Sequence, residues 1–147
     1  MGRDLIWSSA ARVGLTRLSR ARHREHVLIL MYHAVIDGSR PWTKWTHLQL
    51  EQFEVQLRFV ARHYRILPLS EVARAMRDGE ELPPHTAAIT FDDGYRNNYD
   101  VAWPVLRALD VPATIYLATG FLDSGTPNWP DRIFRSEEHT SELQSQR

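Results

Sequence analysis

Short apolar runs alternate along this chain with longer stretches whose apolar residues recur at helical spacing. Val27 to Tyr32 is an unbroken apolar run and predicts a first strand. Further on, Leu50, Phe53, Leu57, Val60 and Tyr64 fall on one face of a helix, and Thr46-His47-Leu48-Gln49 ahead of them fits a capping box. Arg65 to Leu69 predicts a second strand. Ser70 can cap the helix that Asp78-Gly79 ends, glycine being favoured where a helix terminates in left-handed backbone. Glu80 to His85, with Pro83-Pro84, reads as a connector. Ala87 to Phe91 predicts a third strand, Val101 to Leu109 a helix with Pro104 in or near its first turn, and Ala113 to Leu117 a fourth strand. Phe91 and Trp103 are core candidates. Strand and helix in alternation imply an α/β fold with a parallel sheet and right-handed crossovers.

Composition narrows the class without naming a chemistry. Of 147 residues 43% are apolar and the formal net charge is zero, so nothing suggests disorder. No field would steer a polyanion, and no nucleic-acid partner is expected. The absence of cysteine excludes a disulfide framework and a thiolate metal site. Arginine outnumbers lysine 17 to 1, which reads as the mark of a GC-rich genome and a bacterial origin. Residues 1–26 carry six arginines against Asp4 and Glu25, with Leu5, Ile6, Val13 and Leu18 roughly at helical spacing. They are expected to form a basic helical extension packed on its own domain, with anionic lipid as the alternative partner. The segment lacks the continuous apolar core of a signal peptide or membrane span, which makes cytoplasmic the default expectation.

The candidate chemistry sits directly behind the third strand, in Thr90-Phe91-Asp92-Asp93-Gly94. A β-branched and aromatic run ending in glycine delivers two carboxylates side by side at the carboxyl end of a strand, where α/β folds place their chemistry. Adjacent carboxylates repel, so keeping both ionised calls for a cation or strong hydrogen-bond donors. A division of labour follows, with one aspartate on a metal and the other free as a base. The plain alternative is a surface turn, since Asp-Gly is a common turn former.

The surroundings favour the first reading, because the segment resembles the first motif of the polysaccharide deacetylases, the NodB-homology group of carbohydrate esterases (family 4). The resemblance runs over about residues 27–134. It includes Leu30-Met31-Tyr32-His33, Phe53 to Leu57, Arg65-Ile66-Leu67-Pro68-Leu69, Tyr95-Arg96-Asn97-Asn98-Tyr99 and Leu106 to Leu117 with Val111-Pro112-Ala113-Thr114. It implies an incomplete, irregular (β/α) barrel, with about four of seven strands present. It also implies hydrolysis of N-acetyl groups on polysaccharide sugars, Asp92 as catalytic base, and Asp93 as ligand of a divalent metal, zinc by preference. The family's two histidine ligands and the arginine that pairs with its base are not found, so this reads as the front half of an enzyme, inactive by itself. An incomplete barrel leaves open strand edges, and the piece is expected to fold poorly alone.

From Arg135 to Arg147 the composition changes abruptly, with one apolar residue and no aromatic. Residues 135–145 also coincide with the translation of one frame of a common sequencing adapter, so 135–147 is expected to be a non-native tail. His139-Thr140-Ser141-Glu142-Leu143 imitates the family's histidine pair, but Leu143 stands where the second histidine belongs, and His139 is set aside.

His33 follows the first strand as Asp92 follows the third, on the same rim of a parallel sheet. It is a candidate for substrate hydrogen bonding, against a backbone-satisfied histidine. His47 and His85 read as surface or capping residues. Trp42, Trp45 and Trp129 lie in rim loops, where they either pack the loops or stack on sugar rings. Two function classes stand: a metal-dependent deacetylase, and a non-catalytic carbohydrate-binding or scaffold module that keeps the fold.

Overall fold

The computed structural model describes residues 15–38 and 46–121. The chain divides into two units, residues 1–116 and 117–147. Of the second, only the start is described, with a single 3-10 turn at Thr119–Phe121.

The first unit is organised around one strand. β1 (Leu28–Tyr32), β4 (Arg65–Ile66), β5 (Thr86–Phe91) and β6 (Thr114–Ile115) form a parallel sheet in which β5 has all three of the others as partners. β1 runs along its whole length, from Leu28 opposite Ala87 to Tyr32 opposite Phe91. β4 pairs at its beginning, through Ile66 and Ala87, and β6 at its end, through Phe91 and Ile115. All six β5 residues are buried, as expected of a parallel strand covered on both faces. The sheet is therefore parallel as its sequence pattern implies, but β1 lies beside β5 and not beside the next strand in the chain. The second and fourth predicted strands shrink to two residues each.

β2 (Ala34–Ile36) and β3 (His47–Gln49) form a separate parallel pair, and all of β2 is buried. This corrects the capping box: residues 47–49 are drawn into β3, and helix α2 (Leu50–His63) starts from Gln49 with no side-chain cap. The helix forms regardless. It holds neither Pro nor Gly, Phe53, Leu57 and Val60 recur on one buried face, and Glu54 and Arg58 pair at 3.6 Å one turn apart. α3 (Leu69–Asp78) begins after Pro68, so Ser70 is inside the helix and is not its cap. Gly79 ends it at φ +71°, as predicted, and a side chain there would meet nothing within 4 Å, so the preference is one of backbone alone.

The helix expected from Val101 starts earlier, at Arg96, and passes through a π-helix (Asn98–Ala102) into α4 (Trp103–Ala108). Pro104 has no N–H to return to the carbonyl four residues back, which interrupts the α-helical ladder at this point. In the resulting register Ala102, Val105 and Leu106 turn inward and Trp103 is 47% exposed, which removes it from the core.

The core lies between one face of the sheet and these helices. Tyr32, Ile89 and Phe91 from the strands meet Phe53, Leu57, Ala102, Val105 and Leu106. Phe53 touches Tyr32 edge-on with ring centroids 5.2 Å apart and Phe91 at 5.9 Å. Each such buried side chain stabilises the fold by roughly 1.5–3 kcal/mol, with about 0.5–1.5 kcal/mol more per aromatic pair. On the other face Ile29 and Met31 are exposed beside the small residues Ala88 and Thr90.

Residues 15–26 of the arm are described, and they begin with α1 (Leu15–Arg22). It is tied to the body by the Arg20 guanidinium, 5.5 Å from the Phe59 ring, and by the His85 N–H, which donates to Arg24 O at 2.6 Å. Leu18 is exposed, so α1 does not pack that apolar position on the domain. Leu5, Ile6 and Val13 lie outside the described residues. Among the described residues no helix is long and apolar enough to cross a membrane.

Candidate active site

β5 fixes the site because it cannot slip. With β1 on one edge, and β4 and β6 dividing the other, the end of β5 is held from both sides. The Asp92 N–H donates to Tyr32 O at 2.8 Å, and the Tyr116 N–H donates to Phe91 O at 2.8 Å. The chain then reverses through two successive left-handed residues, Asp93 at φ +67° and Gly94 at φ +65°. Sequence reasoning gave this turn to Gly94. The structure divides it with Asp93, one of the few side chains that tolerates such backbone because it is short and polar. Asp92 and Asp93 are both half-buried, at the carboxyl end of the strand where they were expected.

His33 joins β1 to β2 directly after Tyr32, which pairs with Phe91, so it shares this end of the sheet with Asp92. It too is half-buried. Beneath them, Tyr32 donates its hydroxyl to Gln56 Oε1 at 3.1 Å, and burial pushes its phenol up to about 12. Thr90 is buried one residue before Phe91, with Oγ1 3.4 Å from Leu30 O.

Among the described residues no three His, Cys, Asp or Glu side chains converge as a metal group. Asp93 is the one member of the expected ligand set within them. His139, Trp42, Trp45 and Trp129 lie outside the described residues. His85 is a half-buried connector residue at φ +58°, with its ring edge-on to Tyr64 at 6.0 Å; it is not a plain surface residue. A cleft of about 370 Å³ opens elsewhere, between α2 and the π-helix with α4, lined by Leu50, Glu54, Arg58, Asp100, Val101 and Pro104 among others. Asp92 and Asp93 do not line it.

Sequence reasoning missed Asn98. It is 2% exposed, and both its carboxamide atoms are buried with no hydrogen-bond partner among the described residues. The available signal was a pair of asparagines, Asn97-Asn98, inside a stretch that otherwise reads as helix.

Adjacent carboxylates at the carboxyl end of a parallel strand, with a histidine at the same end of the sheet, stand where α/β folds commonly place their chemistry. Comparison with known proteins points to one family. A sequence model described as polysaccharide deacetylase matches residues 79–145. YxkH of Bacillus subtilis (strain 168), a protein named as a polysaccharide deacetylase, is 30% identical over 90 residues, 60% of this chain and 30% of its own length. The poly-beta-1,6-N-acetyl-D-glucosamine N-deacetylase of Escherichia coli (strain K12) is 36% identical over 50 residues, 34% of this chain and 7% of that protein. Among solved structures, the Streptococcus pyogenes deacetylase PplD in complex with acetate superposes with a TM-score of 0.58 at 27% identity, over 76% of this chain and 52% of that one. A de-N-acetylase from Aggregatibacter actinomycetemcomitans shares the fold, with a TM-score of 0.61 at 21% identity over 70% of this chain and 43% of that chain. The chain thus resembles the amino-terminal part of a polysaccharide deacetylase domain of the NodB type, and its sheet is consistent with part of an incomplete (β/α) barrel. It spans about a third of the length of YxkH.

Proposed function

We propose that this chain is the amino-terminal part of a hydrolase that removes N-acetyl groups from the sugars of a polysaccharide, with Asp92 as its base and Asp93 as a ligand of a divalent metal, zinc by preference. The observation that carries the reading is the Asp92-Asp93 pair held at the end of β5, one backbone hydrogen bond from the strand that bears His33.

The chemistry follows from what the residues can do. Asp92 takes a proton from the attacking water as its oxygen adds to the acetamide carbonyl. Collapse breaks the carbon–nitrogen bond as the proton taken by Asp92 passes to the nitrogen, so the sugar leaves as the free amine and the acyl group as acetate. A bound metal would supply a polarised carbonyl and a more acidic water. A catalytic zinc site normally uses three protein ligands, and the described residues offer Asp93 without two convergent nitrogens, so alone they do not make such a site. The two histidines that the family resemblance implies would come from outside them. His33, at the same end of the sheet, would hydrogen-bond substrate. The substrate class is an N-acetylated polysaccharide, and the name of the Escherichia coli relative makes β-1,6-linked N-acetylglucosamine oligomers the first choice of assay.

The test uses the complete parent protein, of which this chain would be a part. Acetate release from those oligomers should fall by about 10²–10⁴-fold on Asp92→Asn, with metal content unchanged. Undiminished turnover would remove Asp92 from the mechanism, and a parent that releases no acetate would leave the non-catalytic carbohydrate-binding module as the better reading.

A further inference from the structure

The hydrogen bonds that hold the end of β5 also align three side chains. The Asp92 N–H bonds Tyr32 O, one residue past the pairing of Tyr32 with Phe91. The Tyr116 N–H bonds Phe91 O, one residue past the pairing of Phe91 with Ile115. Both parallel ladders therefore run on by one residue, and His33, Asp92 and Tyr116 stand side by side at the carboxyl ends of β1, β5 and β6. Adjacent strands lie about 4.7–4.9 Å apart, so the row spans roughly 10 Å with Asp92 at its centre.

The register also sets the face. Side chains alternate between the two faces of a strand, and partners in register share one. Tyr32 and Phe91 turn into the aromatic core, so Met31, Thr90 and Thr114, one step below the row, take the opposite face. The same alternation carries His33, Asp92 and Tyr116 to that face. His33 and Asp92 are half-buried there, whereas Tyr116 is 52% exposed. A broad ring thus flanks Asp92 on one side as His33 flanks it on the other.

We propose that Tyr116 is a substrate-binding residue, whose ring packs against the apolar face of the sugar that presents its acetamide to Asp92. The chemistry suits the ligand. A pyranose has a face of C–H groups and a rim of hydroxyls, and tyrosine offers a flat apolar face that ends in a wet polar tip. One strand spacing separates the ring from the carboxylate, so a sugar resting on Tyr116 has its substituents within reach of Asp92. The identity of the ligand rests on the deacetylase reading, whereas binding to the ring does not require turnover.

The test uses β-1,6-linked N-acetylglucosamine oligomers and the complete parent protein. Tyr116→Ala should raise KM at least about tenfold while kcat falls less than about threefold, the pattern of lost ground-state binding. Tyr116→Phe, which keeps the ring, should bring KM back to within about threefold of native. Calorimetry on the Asp92→Asn parent, where turnover is suppressed, should show Kd rising by the same factor when Tyr116→Ala is added. Native KM and Kd in Tyr116→Ala, with or without a fall in melting temperature, overturn the proposal and leave the deacetylase reading standing. A loss of kcat that Tyr116→Phe shares, at native KM, also overturns it, because the hydroxyl and not the ring would then act. Oligomer binding that depends on Tyr116 in a parent that releases no acetate upholds the proposal and overturns the deacetylase reading. A parent that neither binds nor cleaves the oligomers overturns both. Should Tyr116→Ala unfold, Tyr116→Leu decides: it keeps apolar bulk without a flat face, and a native KM in that variant overturns the proposal.

Discussion

Asp92 and Tyr32 are joined by a single backbone hydrogen bond of 2.8 Å that links the strand carrying the carboxylates to the strand carrying His33. The Tyr32 ring also packs against both Phe53 and Phe91, so the rim of the sheet is continuous with the aromatic core below it. Disturbance of that core should be felt at the site.

Phe53 is fully buried and touches both other rings. Phe53→Ala should destabilise the domain by about 3–5 kcal/mol, through lost burial and the cavity left behind. Denaturant unfolding of the two proteins measures it, and a loss below about 1 kcal/mol would show that the site collapses around the gap.

Asp93 combines a proposed ligand with left-handed backbone at φ +67°. Asp93→Asn should keep the turn and native stability yet abolish acetate release by the parent protein. Asp93→Ala should lose activity and, in addition, about 1–2 kcal/mol of stability to backbone strain. Equal stability of the two variants would show that the turn relaxes.

Burial raises the Tyr32 phenol from its ordinary 10.0 to about 12. The native state thus holds this proton more tightly than the unfolded chain. The stability this contributes is complete below about pH 10 and is lost as pH rises toward about 12. Tyr32→Phe should flatten the alkaline limb of a stability-versus-pH curve, while costing about 1 kcal/mol at neutral pH through the lost bond to Gln56. Superimposable alkaline limbs would mean that other groups control it.

Residues 1–26 are proposed to serve the domain and not a membrane. Their deletion from the parent protein should leave turnover unchanged, and sedimentation with anionic liposomes should show no binding that depends on them. Strong binding that salt abolishes and the deletion removes would establish the lipid reading instead.

The 147-residue chain expressed by itself should release no acetate from N-acetylglucosamine oligomers with zinc present, since its described residues bring no three ligands together. Metal-dependent release at the parent's rate would make His33 and His139 the first residues to substitute.

How much of this was legible in the sequence depended on how local the signal was. β5 and its turn could be read because an apolar run, two aspartates and a glycine are contiguous. The α2 stripe of Phe53, Leu57 and Val60 was equally plain. The β2–β3 pair escaped because Ala34–Ile36 is too short to register and its partner, residues 47–49, carries a pattern that also suits a helix cap. Trp103 was misplaced because a large apolar residue was taken for core, whereas the helix turns Ala102, Val105 and Leu106 inward there. The order of strands around β5 comes from pairings between distant residues, which no local pattern encodes. Asn98 could not be singled out, because burial without a partner is a property of the fold and not of the local sequence.

The pairing of Leu28 with Ala87 also sets a timetable for synthesis. β1 leaves the ribosome about sixty residues ahead of the strand that will cover its edge, and it carries Leu28, Ile29, Leu30 and Met31 in sequence. During that interval an apolar strand with open edges is present in the nascent chain, a form that recruits other chains or chaperones. The arginine-rich residues that precede it emerge first, and at physiological pH their like charges oppose contact between neighbouring nascent chains. The same arm, predicted to be dispensable to the finished site, would then matter while the site is being made.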